Sequence, residues 1–415
     1  MRIEMYIKII KTLCLLFFLL SANNSISGNA KDDFHWDHNY LFSEQDIYKV
    51  RQLVKANNPN FLPAATKLKN EANAALHQGP WTVFDKKQIP PSGNKHDYMS
   101  AGKYWWPDPK NPNGPYIRRD GITNPNTVTS DKEDMGDMAD AVETLALAYY
   151  LFGKGKYAQR AVFFLRVWFL NKDTYMSPNM NYGQAIPGRN SGRQYGIIET
   201  RKLIRIIDAI QLLKSSQFLT PSDQAGLKNW FAKYLQWLLN SDFGTKESRN
   251  GNNHETSYTL QVISFSLFVG KPDIAEKQIE KHFKQCIIRM IEPDGRQPRE
   301  LARTKALHYS IMNLSMIIEI AELARKMGMD LYNFKTQDGR SIRKALDFLY
   351  PFVSGQRKWP YQQIVKSAPD YDDIFYTLRI AGLRYNRPDY ERTLQNIYKS
   401  GYKNHRGQLY WPRFD

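Results

Sequence analysis

Asn252-Asn253-His254 ends a polar run from Ser241 to Gly251 and leads into an apolar helical pattern beginning near Leu260. Two amides and an imidazole therefore stand where a loop turns into a helix. Free backbone N–H groups and the helix dipole both favour an anion at such a point. The blander alternative is that Asn252 or Asn253 caps the helix and His254 is a satisfied core or capping side chain. A second polar concentration runs from Asp294 to Tyr309 and holds Arg299, Glu300, Arg303 and Lys305. A guanidinium beside a phenol can hold an anion and draw the phenol pKa down, although Tyr309 also sits in an apolar run that suits a core aromatic. On a regular helix, six residues leave Arg303 and Tyr309 about 120° apart, so they converge only if the helix is broken between them. Arg299 or Lys305 could stand in for Arg303 on geometry alone. A third stretch, Gly183 to Arg193, offers Asn190 and Arg193 ahead of another helix, as ligand contacts or as turn and surface residues.

The chain has 415 residues, 42% hydrophobic and 24% charged, as in ordinary globular proteins, but its net charge is +17. Such a surface attracts polyanions. Aromatics make up 13%, including 25 Tyr and 9 Trp, which tilts the partner towards carbohydrate, since sugar rings stack on flat apolar faces that carry a polar edge. Residues 1–30 read as a signal peptide: Arg2, Lys8 and Lys11 precede an apolar run from Thr12 to Leu20, too short for a comfortable membrane span. Export to periplasm or medium argues against nucleic acid and for an acidic glycan. No membrane span is expected in the mature chain, and a monomer is expected.

After removal of that segment only Cys286 remains, so no intramolecular disulfide can form and the thiol reads as a small buried hydrophobe. His35 and His38 lack a third ligand nearby. No HExxH, paired cysteines or acidic metal cluster appears, so neither a catalytic metal nor a cofactor is expected.

The elements that must position these residues are helices. Helical periodicity marks segments from Ser43 and from Leu62, and then from Asp134 onwards, at about 161–170, 194–215, 221–240, 255–270, 273–290, 303–327, 340–354, 370–384 and 388–400. No segment alternates with period two over any length. Helix pairs recurring without a sequence repeat predict an all-α chain whose hairpins, about six or seven, close into an α/α toroid as one domain over 31–415. Residues 80–130 interrupt the rhythm with eight prolines and many aromatics. So long a loop, too aromatic for disorder, predicts a lid or cleft wall bearing Tyr104, Trp105, Trp106, Arg118 and Arg119.

The lid segments His96-Asp97-Tyr98, Tyr104-Trp105-Trp106-Pro107-Asp108-Pro109 and Tyr116-Ile117-Arg118-Arg119-Asp120-Gly121, with Asn252-Asn253-His254, Glu300-Leu301-Ala302-Arg303 to Tyr309, and Lys358-Trp359-Pro360-Tyr361, together resemble the alginate lyase family over about residues 90–365. The resemblance implies an α/α toroid that cleaves uronic-acid polymers by β-elimination. It implies that Asn253, His254 and Arg303 neutralise the substrate carboxylate, that Tyr309 handles protons, and that Trp359 lies with the substrate contacts. The chemistry needs those groups. Neutralising the carboxylate stabilises the enediolate formed on loss of the C5 proton; a base takes that proton and an acid returns one to the departing O4. In mannuronate or glucuronate both lie on one face and one Tyr can serve twice. In guluronate they lie on opposite faces, and His254 would be the base with Tyr309 as acid. The polymer can thus be mannuronate-rich alginate, guluronate blocks or glucuronan.

Two other functions compete. A toroid glycoside hydrolase needs two carboxylates across a cleft; Glu255, Asp294, Glu300 and Asp372 are candidates, and nothing singles out a pair. A non-catalytic glycan-binding protein explains the charge and aromatics as well, but has no need of an Asn-His loop with an Arg/Tyr segment.

Overall fold

The computed structural model describes residues 42–127, 130–365 and 372–414. The expected signal peptide over 1–30, with His35 and His38, lies outside them. Ser43 starts α1 (Glu44–Lys55) by accepting from the Asp46 amide at 3.0 Å, and Pro63 opens α2 (Leu62–Ala75), where a missing N–H costs nothing. Both pack on α3 (Ser130–Phe152). The order continues with α4 (Gly155–Leu165), α5 (Leu203–Leu213), α6 (Pro221–Asn240), α7 (Asp242–Glu247), α8 (Asn253–Phe268) and α9 (Pro272–His282). It ends with α10 (Pro298–Leu301), α11 (Ala306–Lys326), α12 (Ile342–Val353), α13 (Asp372–Arg384) and α14 (Pro388–Tyr398).

Helices α3, α5, α8, α11 and α13 contact one another in that order and form the inner wall, while α4, α6, α9, α12 and α14 pack outside it. Sequence explains which is which. In α8 and α11 small Ala, Ser and Thr residues alternate with Leu, Ile and Met, and nearly every position is buried. A helix that is apolar or small on all sides must be covered on all sides. The outer α9 and α14 bury only one stripe. The chain end returns to the start: the Tyr410 hydroxyl donates to Glu143 Oε1 at 2.6 Å, and Arg406 Nη2 to Thr144 Oγ1 at 2.8 Å, both on α3. The molecule is the all-α toroid that the helix periodicity predicts. Among the described residues no helix is long and apolar enough to cross a membrane.

Two departures from the periodicity matter. The expected helix over 194–215 begins as a 3₁₀ segment, Gln194–Lys202, before α5. The expected helix over 303–327 begins only at Ala306, because the chain just before it pairs with another segment: Ile364 N donates to Thr304 O at 3.0 Å and Ala306 N to Gln362 O at 3.1 Å. The lid carries short strands: β1 (Met99–Ala101), β2 (Trp105–Trp106) and β3 (Ile117–Arg118), with β4 (Tyr182–Ala185) pairing parallel to β1 and β2 antiparallel to β3. Part-buried hydrogen bonds tie the lid down, Tyr98 Oη to Glu199 Oε2 at 2.8 Å and the Met99 amide to Asp131 Oδ2 at 2.8 Å.

Candidate active site

A cleft of about 810 Å³ lies between the lid and the mouths of α3, α8 and α11. Its lining includes Asn253, His254, Arg303 and Tyr309 together with Tyr104, Trp105, Arg118 and Arg193.

Asn252 caps α8, its Oδ1 accepting from the His254 amide at 3.1 Å. The amide and Nδ2 of Asn253 both donate to Glu300, to Oε1 and Oε2 at 2.7 Å each. The anion site expected at this helix start is therefore filled from within: a buried carboxylate, not a ligand, takes the free N–H of the first turn. Desolvation raises the Glu300 pKa against these bonds. Asn253 Oδ1 is buried without a partner. His254 directs Nδ1 to Glu247 Oε1 at 2.7 Å, and Glu247 is fully buried at the end of α7. Since Nδ1 is engaged, Nε2 is the nitrogen left for chemistry. Tyr195 packs edge-on against the imidazole at 4.9 Å.

The break between α10 and α11 turns Arg303 back over the first turn of α11, where its guanidinium lies 3.8 Å from the centre of the Tyr309 ring. The lid reaches the same point from the other side. Arg303 Nε and Nη2 donate to Asp120 Oδ2 and Oδ1 at 3.0 and 2.8 Å, and the Thr304 amide donates to Oδ2 at 3.2 Å. Burial works against the Asp120 charge, but Arg303, Thr304 and Arg118 outweigh it and hold the carboxyl far below its ordinary range. The Tyr309 and Tyr104 hydroxyls are hydrogen-bonded at 2.9 Å.

That pair corrects one expectation. Tyr309 does not have its pKa drawn down by Arg303. Burial, then the neighbouring Tyr104, push it up and outweigh the lowering by Arg303. Burial also acts to raise Tyr104, but Lys103, the bond from Tyr309 and Lys305 together lower it. The two hydroxyls therefore titrate together, as a pair.

The other expected contacts divide by strand geometry. Successive strand residues face opposite ways and paired residues face alike. Trp105 and its partner Arg118 line the cleft, whereas Trp106 and Arg119 pack on each other outside that lining, with Trp106 Nε1 bonded to Ile122 O at 3.0 Å. Arg193 is held by Gln184 (Nε to the carbonyl, 3.0 Å; Nη2 to Oε1, 2.8 Å) and burial lowers its pKa to about 10. Asn190 is exposed and closes a turn on Ile186; Arg299 bonds the Asn250 carbonyl behind the loop; Trp359 packs on Phe352 at 5.1 Å. None of these three lines the cleft. Of the hydrolase candidates, Glu255 and Glu300 are buried in hydrogen bonds, Asp294 pairs with Arg296 and Asp372 with His405, so no two of them face one another across the cleft. Lys103, Gln184, Tyr195, Glu247 and His308 escaped the sequence reading. Burial, the leading cause, lowers the His308 pKa to about 4 and keeps it neutral.

The alginate lyase family model matches residues 82–359. Among solved structures, an alginate lyase from Bacteroides ovatus is 40% identical, with a TM-score of 0.86 over 91% of this chain and 99% of that one. Alginate lyase A1-III from Sphingomonas species A1 is 15% identical, with a TM-score of 0.53 over 88% and 93%. A variant of A1-III complexed with a tetrasaccharide is 14% identical, with a TM-score of 0.57 over 88% and 92%. At that identity A1-III bears on the fold alone. A search of curated proteins finds no match. With its family match covering more than half of its length, the chain belongs to the alginate lyase family and is a polysaccharide lyase.

Proposed function

We propose that this protein cleaves mannuronate-containing alginate by β-elimination, with Tyr309 moving the protons. The observation that carries this is the Tyr309–Tyr104 hydroxyl pair under the Arg303 guanidinium, in one cleft with Asn253 and His254. Asn253, His254 and Arg303 surround the uronate carboxylate and stabilise the enediolate as the C5 proton leaves. Asn253 is held by Glu300, and Glu247 fixes the imidazole so that Nε2 faces the sugar. A phenol pair that shares one proton suits an elimination whose proton and leaving oxygen lie on the same face. The pair takes the C5 proton and Tyr309 returns one to O4. Trp105 supplies a flat face for a neighbouring sugar, and Arg118 and Arg193 meet its carboxylates. Export through residues 1–30 brings the enzyme to its polymer.

The test is release of 4,5-unsaturated uronate, read by ultraviolet absorbance, from mannuronate-rich alginate, guluronate blocks, glucuronan and a neutral glycan. Fastest release from the mannuronate-rich polymer is expected. Faster release from guluronate blocks would put His254 in place of Tyr309 as base, and release from glucuronan alone would remove alginate.

A further inference from the structure

Behind the active-site loop, facing away from the cleft, Glu255 on α8 meets His282 at the end of α9 and Cys286 in the π-helical turn Phe283–Ile287 that follows it. One ligand atom from each lies within 4.8 Å of the others, and all three residues are buried. The Cys286 thiol donates to Glu255 Oε1 at 3.0 Å, and Arg289 Nη2 donates to the same oxygen at 2.6 Å. The Glu255 charge is thus compensated. The imidazole is not: neither Nδ1 nor Nε2 of His282 has a hydrogen-bond partner, at 4% exposure. A buried ring with both nitrogens unpaired is costly and calls for a further occupant.

We propose that Glu255, His282 and Cys286 form a structural site for a divalent transition metal, zinc by preference. Carboxylate, imidazole and thiolate are all zinc donors, and three of them leave the fourth tetrahedral position open to water. The charges close. Zn²⁺ displaces one proton from the Cys286 thiol to solvent; thiolate and carboxylate then balance the ion, and His282 binds as a neutral ring. Arg289, 45% exposed, is free to turn outward as the ion takes over Glu255 Oε1, or to remain as its outer partner. The other oxygen, Oε2, accepts from the Gly251 amide at 2.7 Å, immediately before Asn252-Asn253-His254. An ion here ties α9 to α8 and steadies that loop from behind. None of its three ligands lines the cleft, so it takes no part in the elimination.

The experiment uses the full chain stripped with a chelator, then titrated with Zn²⁺ and, separately, Co²⁺. One zinc per chain by elemental analysis, a higher melting temperature than the chelated protein, and a thiolate-to-cobalt charge-transfer band are expected. Cys286→Ser should abolish the band and His282→Ala the zinc stoichiometry, with uronate release retained at saturating substrate. No zinc above background and no cobalt band in the wild type would overturn the proposal even if a variant failed to fold. Undiminished zinc in folded variants would place the ion elsewhere and overturn it equally.

Discussion

Glu247→Gln tests a partner that lies behind His254 and outside the cleft lining. The buried Glu247 carboxylate accepts from Nδ1 at 2.7 Å and also receives the Asn250 side-chain amide. Gln keeps the shape and removes the charge. Its single carbonyl oxygen cannot serve both Nδ1 and the Asn250 amide, so the imidazole loses the charged, fixed acceptor that orients it. A hydrogen bond to a charged group contributes about 1.5–3 kcal/mol, and at about 1.4 kcal/mol per decade its loss from the transition state is about 10- to 150-fold in kcat/KM. The assay is the initial rate of unsaturated-uronate release across substrate concentrations, with far-ultraviolet dichroism and melting as controls for folding. Glu247→Asp, which keeps the charge on a shorter arm, should recover part of the loss. A folded Glu247→Gln enzyme with kcat/KM within about threefold of wild type, well under one charged hydrogen bond, would refute the orienting role.

Tyr104→Phe removes the hydroxyl bonded to Tyr309. Deprotonation then falls to Tyr309, held up by burial, so the limb of the kcat–pH profile that rises with pH should move to higher pH; an unmoved limb would mean that the pair does not share its proton. Asp120→Asn weakens the lid's grip on Arg303, a part-buried bidentate pair, by about 2 kcal/mol, and should raise KM roughly tenfold or more with little change in global melting. Because the Asp120 pKa is depressed in the folded state, its contribution to lid closure is present at neutral pH and is lost only as pH falls below the ordinary aspartate range, near about 4; the fluorescence of Trp105 and Trp106 should report that opening, and its persistence in Asp120→Asn would contradict the latch. Glu300→Gln leaves Asn253 facing an amide, and should lower kcat about tenfold or more while KM changes less, as expected for a group that supports charge developing in the transition state.

The parts of this account that could be read from the chain are those set by local rules. Periodicity places α3, and α8 and α11 are legible as long segments that are apolar or small on nearly every side. The Asn-His loop is recognisable as a helix start, and the need for a break between Arg303 and Tyr309 follows from helix geometry alone; Thr304–Ala306 supplies that break by pairing with a loop nearly sixty residues on. What escaped was set by distance. Asp120 lies 183 residues from Arg303 and Tyr104 lies 205 from Tyr309, so no local pattern says that the lid neutralises the one and pairs with the other. The expected fall in the Tyr309 pKa failed because the phenol is buried and faces Tyr104, both tertiary facts. Glu247 was closer, seven residues before His254, but its burial at a helix end is a tertiary fact. Trp106 is set aside only once the lid strand is known: beside Trp105 in β2 it faces the other way.

The most direct test of the central claim is uronate release from mannuronate-rich alginate by the wild type beside Tyr309→Phe. The wild type should generate the absorbance of the conjugated double bond, and the variant, folded and still binding polymer, should generate almost none. A folded Tyr309→Phe enzyme that releases unsaturated uronate at the wild-type rate would remove Tyr309 from the proton transfer and the proposed mechanism with it.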